Sequence, residues 1–445
     1  MESPMKKILL CIVFALGLAC PAFGENIYVR EGCSGTGNDA RDGDWNTANC
    51  TDEISTAEAV AQRGDTIWVA DGTYANGVTF NVGESSTTTI AVCKATVSTV
   101  DSDACPSAHG TSTGWVSTYG DGQATIVGQL NFTTDYWYFS GQTRDSSDWF
   151  DGTAYGFVVD PGGTSARVYL NGSYGKFRYT YVVGQDYPGN YARFVISYEG
   201  ALTVYTEVSY CYVTKGSNHF FMRNADYCTV EYTASYDANT GGANDHGENV
   251  NLYGYYGSSD YNIIRYNIFK DSGVRNYITA VIAQVGDTGN EIYGNIFWGN
   301  DCTDGTMGWN GSDSGKRVTN TKIYNNTFVD SGGYASGIMY ESSASSGNVA
   351  YNNLWVGAKI PSFQAVTQSN NTTNGSTSLF NDYGGGVFTL AIDTDVGIDV
   401  SATVTEDLRG VEYGNDGDWE IGAYAFGDEV APAVPANAIQ RVTIN

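Results

Sequence analysis

One stretch of the chain gathers side chains able to move a proton beside a carboxylate. Asp245, His246 and Glu248 stand in a Gly/Asn-rich turn, Arg265 follows on a strand-like run, and Lys270, Asp271 and Arg275 come in the next loop. Removing the proton α to a uronate carboxylate takes a base such as Lys, His or Arg. It also takes Ca²⁺ or an arginine to face the charge that builds on the carboxylate. On this reading Lys270 or His246 is the base and Arg265 or Arg275 the carboxylate partner, with Asp245 and Glu248 as Ca²⁺ ligands. The other two histidines of the chain are His109 and His219. The competing reading is an ordinary loop with polar corners.

A second candidate is aromatic. Tyr293, Tyr324 and Tyr351 recur at equivalent places of a repeat. On adjacent strands they would form a strip on which sugar rings stack. The alternative is cross-strand support of a sheet. Hydrolysis of a glycosidic bond would need two carboxylates at set separation. With 49 acidic residues such pairs are unavoidable and argue nothing.

The elements that position these residues follow from the repeat. Ile264-Arg265-Tyr266-Asn267-Ile268-Phe269 returns as Ile292 to Phe297, Ile323 to Phe328 and Ala350 to Trp355. Weaker copies start at Phe177, Val208 and Val230, and the anchors lie 31, 22, 34, 28, 31 and 27 residues apart. Each copy is too short and too rich in β-branched and aromatic residues for a helix. One turn of a three-sided coil fits the shortest interval, with loops inserted in the longer ones. Stacked parallel strands turn equivalent positions into columns. Phe177, Val208, Val230, Ile264, Ile292, Ile323 and Ala350 then face the core, and Arg178, Ser209, Glu231, Arg265, Tyr293, Tyr324 and Tyr351 face outward. Thr180, Cys211, Thr233, Asn267, Asn295, Asn326 and Asn353 become a ladder of hydrogen-bonding side chains. The fold class is therefore all-β, a right-handed parallel β-helix over 25–355, with a short capping helix near Glu53 to Gln62 and a closing segment over about 356–427.

The start reads as an export signal: Lys6 and Lys7, an apolar run from Ile8 to Ala19, and Ala22-Phe23-Gly24 before Glu25. Residues 428–445 read as an Ala/Pro-rich tail. Without residues 1–24 the chain keeps 20 basic and 48 acidic residues, a net charge of −28. That charge argues against nucleic acid and anionic lipid as partners and would also repel an acidic polysaccharide unless cations bridge the two, and no further segment is apolar enough to insert into a membrane. Export permits disulfides. Cys33 with Cys50 and Cys93 with Cys105 bracket polar loops and are expected to pair. Cys211 with Cys228 stays open, and Cys302 is the expected free thiol.

Both ends of the mature chain resemble the pectate-lyase-like superfamily of secreted bacterial β-helix proteins. The entry is carried by Asn26 to Val29, the short helix, and Gly64 to Tyr74. The exit is carried by Ser378 to Asp382, Gly397 to Asp399, Asp407-Leu408-Arg409-Gly410 and Trp419-Glu420-Ile421-Gly422-Ala423-Tyr424. Ala425 stands where that closing motif usually has Glu. The resemblance implies the fold and export. It does not select among the lyases, glycosidases, adhesins and non-enzymes of the superfamily, and no fixed motif of a characterised lyase family is present. The expectation is an extracellular or cell-surface protein that acts on polysaccharide, with a Ca²⁺-assisted lyase first and a non-catalytic adhesive or structural rod second.

Overall fold

The computed structural model describes residues 24–426 apart from 36–40, 161–167, 185–191, 198–201, 239–246, 253–256, 272–280, 284–286, 300–306, 310–317, 331–336, 341–344, 358–361 and 365. The chain lays strands in rotation on three parallel sheets of 12, 11 and 10 strands. It is a right-handed parallel β-helix. One turn of the coil reads, for example, Thr229–Glu231 on the first sheet, Ala234–Ala238 on the second and Glu248–Leu252 on the third. Strands continue one turn beyond Trp355, to Thr372–Gly375.

The predicted core column is the observed register: Phe177 pairs with Val208, then Val230, Ile264, Ile292, Ile323 and Ala350. All seven are buried in one continuous apolar core. Between the first and second sheets the corner is two residues long. Its second residue forms the ladder. The backbone N–H of Asn267, Asn295, Asn326 and Asn353 donates to the side-chain Oδ1 of the next rung at 3.0, 3.1, 3.1 and 2.9 Å, ending on Asn371. These bonds supply partners for amides that water cannot reach. A second ladder, which the sequence analysis missed, lines the corner entering the first sheet: Cys228 N–H donates to Asn262, Asn262 to Asn290, and Thr321 to Asn348.

The ends are closed differently. The helix Ile54–Val60 buries Ile54 and Ala57 in the same core as Ile27 and Ile67. It covers the first turn, whose strand edge would otherwise be open. The closing segment folds back over the corner between the first and second sheets and the outer faces on either side of it. There Phe388 meets Trp298 at 5.1 Å, Tyr266 Oη donates to the Glu406 carbonyl at 2.8 Å, and Asn325 Nδ2 donates to the Glu420 carbonyl at 2.9 Å. Within that segment the Asp407 carboxylate accepts from the Arg409, Val411 and Ala425 amides. It also pairs with the Arg409 guanidinium at 2.7 Å.

Cys33–Cys50 and Cys93–Cys105 are bonded. Cys211 and Cys228 are free and buried. They cannot pair because each occupies a rung of a different ladder. Burial raises both thiol pKa values to about 12, so neither is a nucleophile. Cys302 lies outside the described residues.

Candidate substrate-binding face

The predicted constellation is divided among the three sheets. Arg265 lies on the outer face of the first sheet, with Nε 2.6 Å from Glu231 and Nη1 donating to Tyr293 Oη at 3.0 Å. Burial pulls its pKa down, but Glu231 and Tyr293 outweigh that and hold it above the ordinary arginine value. Lys270 was expected in an exposed loop. It instead ends the second-sheet strand Ile268–Lys270 and is largely enclosed. Its Nζ lies 4.4 Å from the ring of Trp298, 5.2 Å from Tyr236 and 5.7 Å from Phe150, with Asp271 at 3.9 Å. Rings on several sides stabilise the cation there and leave little room for a substrate.

Glu248 opens the third-sheet strand Glu248–Leu252 and is fully buried. Asp245, His246 and Arg275 lie outside the described residues. Among the described residues no group of three or more His, Cys, Asp and Glu is placed to hold a metal ion.

The tyrosine strip also differs from expectation. Tyr293, Tyr324 and Tyr351 are in register on the first sheet. Tyr293 and Tyr324 keep only 3% and 7% of their surface because the closing segment packs over them. They form the floor of that packing and not an open platform. The two described histidines are structural as well. His109 stacks on Trp115 at 4.3 Å. His219 Nδ1 lies 2.6 Å from Ser235 Oγ inside the coil, and burial lowers its pKa to about 3, so it is neutral at physiological pH.

The third sheet offers a different arrangement. Its inward column includes Leu130, Val168, Phe194, Phe220 and Val250, all in the core. Alternation along the strands turns the neighbouring column outward: Asn131, Tyr169, Val195, Phe221 and Asn251, paired in that order. Tyr169 and Val195 form their own apolar cluster there with Phe221 packed against it; Tyr169, Val195 and Asn251 keep only 8%, 2% and 4% of their surface, so the open part of the face is Asn131, Asn171, Phe221 and Arg223. The Arg223 guanidinium lies 5.1 Å from the Phe221 ring. Asn171 Nδ2 donates to Asn131 Oδ1 at 3.0 Å, and Asn251 Nδ2 to Asn218 Oδ1 at 3.3 Å. Rings, amides and a cation side by side are what a sugar acid needs: apolar contact for the pyranose, donors for hydroxyls, and charge for the carboxylate.

Topology links this face to the predicted residues. Residues 239–247 lead from Ala234–Ala238 on the second sheet to Glu248–Leu252 on the third. Residues 271–280 lead from Ile268–Lys270 to Val281–Ala283. The sequence analysis missed Tyr169, Phe221 and Arg223. Third-sheet strands lack the Tyr-Asn signature, so only the rotation of the coil reveals their register.

No family model matches the sequence, and no curated protein matches it. Solved structures do. The pectate lyase Pel9A superposes with a TM-score of 0.53 at 15% identity, over 91% of this chain and 98% of that one. A PL6 alginate lyase in complex with a trisaccharide covers 96% of this chain and 98% of its own, with a TM-score of 0.40 and 11% identity. A rhamnogalacturonan lyase covers 92% and 97%, with a TM-score of 0.35 and 12% identity. At 15% identity the likeness to the pectate lyase is one of fold.

Proposed function

We propose that this is an exported, carbohydrate-active protein that binds an acidic polysaccharide across the outer face of the third sheet and cleaves it by β-elimination. The observation that carries this reading is the partly open group Asn131, Asn171, Phe221 and Arg223 on that face, where the guanidinium 5.1 Å from the Phe221 ring offsets the repulsion that an acidic glycan meets from the negative charge of the chain. Two connections bearing the polar cluster of the sequence lead into that sheet. His246 takes the proton α to the uronate carboxylate, and Arg275 and Arg223 neutralise the charge that develops there. The electron pair left at that carbon forms a double bond as the bond to the glycosidic oxygen breaks, and the departing oxygen takes a proton from water. Arg265 is paired with Glu231 and Tyr293 within the first sheet, and Lys270 is enclosed by rings on the second. Two disulfides support export. Among the described residues no helix is long and apolar enough to cross a membrane. The pectate lyase that shares the fold is named for an acidic polysaccharide, which is the same class of substrate.

The test is a panel of polyuronides, with and without Ca²⁺, followed by ultraviolet absorbance of unsaturated products. Arg223→Ala and His246→Ala should each lower turnover at least tenfold with little change in melting temperature. No product on any member of the panel, under either condition, would leave the non-catalytic rod as the better account.

A further inference from the structure

The corner between the third and first sheets carries five tyrosines in a row: Tyr136, Tyr174, Tyr205, Tyr227 and Tyr261. Their rings stack at 4.9, 5.4, 5.1 and 5.1 Å, with interplanar angles from 6° to 22°. All five have left-handed backbones, with φ between 54° and 61°. That conformation is costly for a bulky side chain and comfortable for Gly or Asn. The same corner shows that the fold does not require tyrosine. On the next three turns its place is taken by Gly289, Asn320 and Gly347, each with positive φ. Four of the five rings are well exposed: Tyr174 39%, Tyr205 52%, Tyr227 45% and Tyr261 47%. Among the described residues no hydroxyl of the five is bonded and no arginine or lysine stacks on any of the rings. The chain thus keeps strained, solvent-facing tyrosines where its own later turns use the relaxed residue. Strain retained in this way points to function.

We infer that this ridge is a binding site for an extended, uncharged β-linked polysaccharide lying along the coil axis. The shared faces of the stack are closed, so the ligand meets ring edges and a row of phenol hydroxyls. That row repeats at 4.9–5.4 Å, close to the advance per sugar of an extended β-1,4-linked chain. Each tyrosine supplies an apolar edge and a polar tip to one sugar. Charge selects against a polyuronide here: Asp135, Asp226 and Asp260 immediately precede Tyr136, Tyr227 and Tyr261, and the cation near the row, Arg63, lies at its Tyr136 end, where it donates to the Asp135 carbonyl. The ridge is therefore separate from the acidic-substrate face and does not rest on that reading.

The full chain is tested by affinity electrophoresis and pull-down on hydroxyethyl cellulose, glucomannan and insoluble chitin, with alginate and polygalacturonate alongside. The variant is Tyr205→Asn with Tyr227→Asn, which installs the residue used at 320. Binding to at least one neutral glycan should fall tenfold or more, the melting temperature should hold, and any turnover of acidic oligosaccharides should be unchanged. Undiminished binding in the double variant overturns the proposal. So does a wild-type chain that binds only the acidic glycans. A chain that binds no neutral glycan but forms a dimer which the variant dissociates assigns the ridge to a second copy, and that too overturns it.

Discussion

Both corners that flank the first sheet are built alike, yet one is sealed and the other is open. At the exit of the sheet Tyr179, Tyr210, Tyr232 and Tyr266 stack at 5.0, 5.1 and 5.2 Å, again with left-handed backbones, and then give way to Gly294 and Asn325. There the segment 141–156 and the closing segment lie across the rings. The Arg144 guanidinium sits 4.1 Å from the Trp149 ring and 4.7 Å from Tyr210, and Nη1 donates to the Tyr232 carbonyl at 2.6 Å. At the entry corner Tyr174, Tyr205, Tyr227 and Tyr261 stay exposed, and among the described residues no segment is packed across them as at the exit. Strain at the sealed corner is offset by packing; at the open corner only ring-on-ring contact opposes it. The same local motif therefore serves structure in one place and is free to meet a ligand in the other.

The largest test of this contrast is Tyr210→Asn. It removes two stacked neighbours and one wall of the Arg144 niche, and we expect a loss of about 3 kcal/mol in denaturant unfolding. A loss under about 0.5 kcal/mol, the range of ordinary surface changes, would erase the distinction between the corners. Arg144→Ala should cost about 2 kcal/mol, because the Tyr232 carbonyl loses a charged donor and two rings lose their cation. Retention of the wild-type unfolding midpoint would mean that the segment 141–156 is held by Trp149 and Tyr155 alone.

Beneath the open corner lies Asp287, fully buried, with Oδ1 accepting from the Ser259 amide and Oδ2 without a hydrogen-bond partner among the described residues. Burial raises its pKa well above the ordinary carboxylate value, with Asp260 and Asp226 adding to the shift. The folded state thus holds this proton more tightly than the unfolded one. Its contribution is largest below the unfolded pKa, falls as pH rises towards the folded value, and is constant above it. Melting temperature should therefore drop from acid towards neutral pH, and Asp287→Asn should reduce that drop. Parallel curves for the two proteins would show that another group is responsible. The smallest expected effect is Tyr205→Asn at the open corner, within about 0.5 kcal/mol of zero or slightly stabilising by relief of strain. A loss comparable with that of Tyr210→Asn would make the ridge structural and weaken its claim to a ligand.

Much of the coil was legible in the chain itself. A strand places alternate side chains on opposite sides, so the Ile-x-Tyr-Asn-x-Phe repeat defined an inward column and a ladder without any coordinates. The ladder asparagines hydrogen-bond only between equivalent rungs, which tied the register to the repeat. Two disulfides could be read because short polar loops bring their cysteines together. Other features depended on chain segments distant in sequence. Arg265 and Lys270 are five residues apart, yet a two-residue corner sends them to different faces. Tyr293 and Tyr324 point outward as their register requires, but the closing segment packs over them, and no local pattern encodes that coverage. The third-sheet stripe draws Asn131, Tyr169, Val195, Phe221 and Asn251 from five different turns. The sequence by itself determined the coil, its inward column and its asparagine ladder, because these follow from periodicity and from hydrogen bonding between equivalent positions. Which outward residues are buried, paired or open was decided only by the tertiary structure, because coverage depends on where distant segments come to rest.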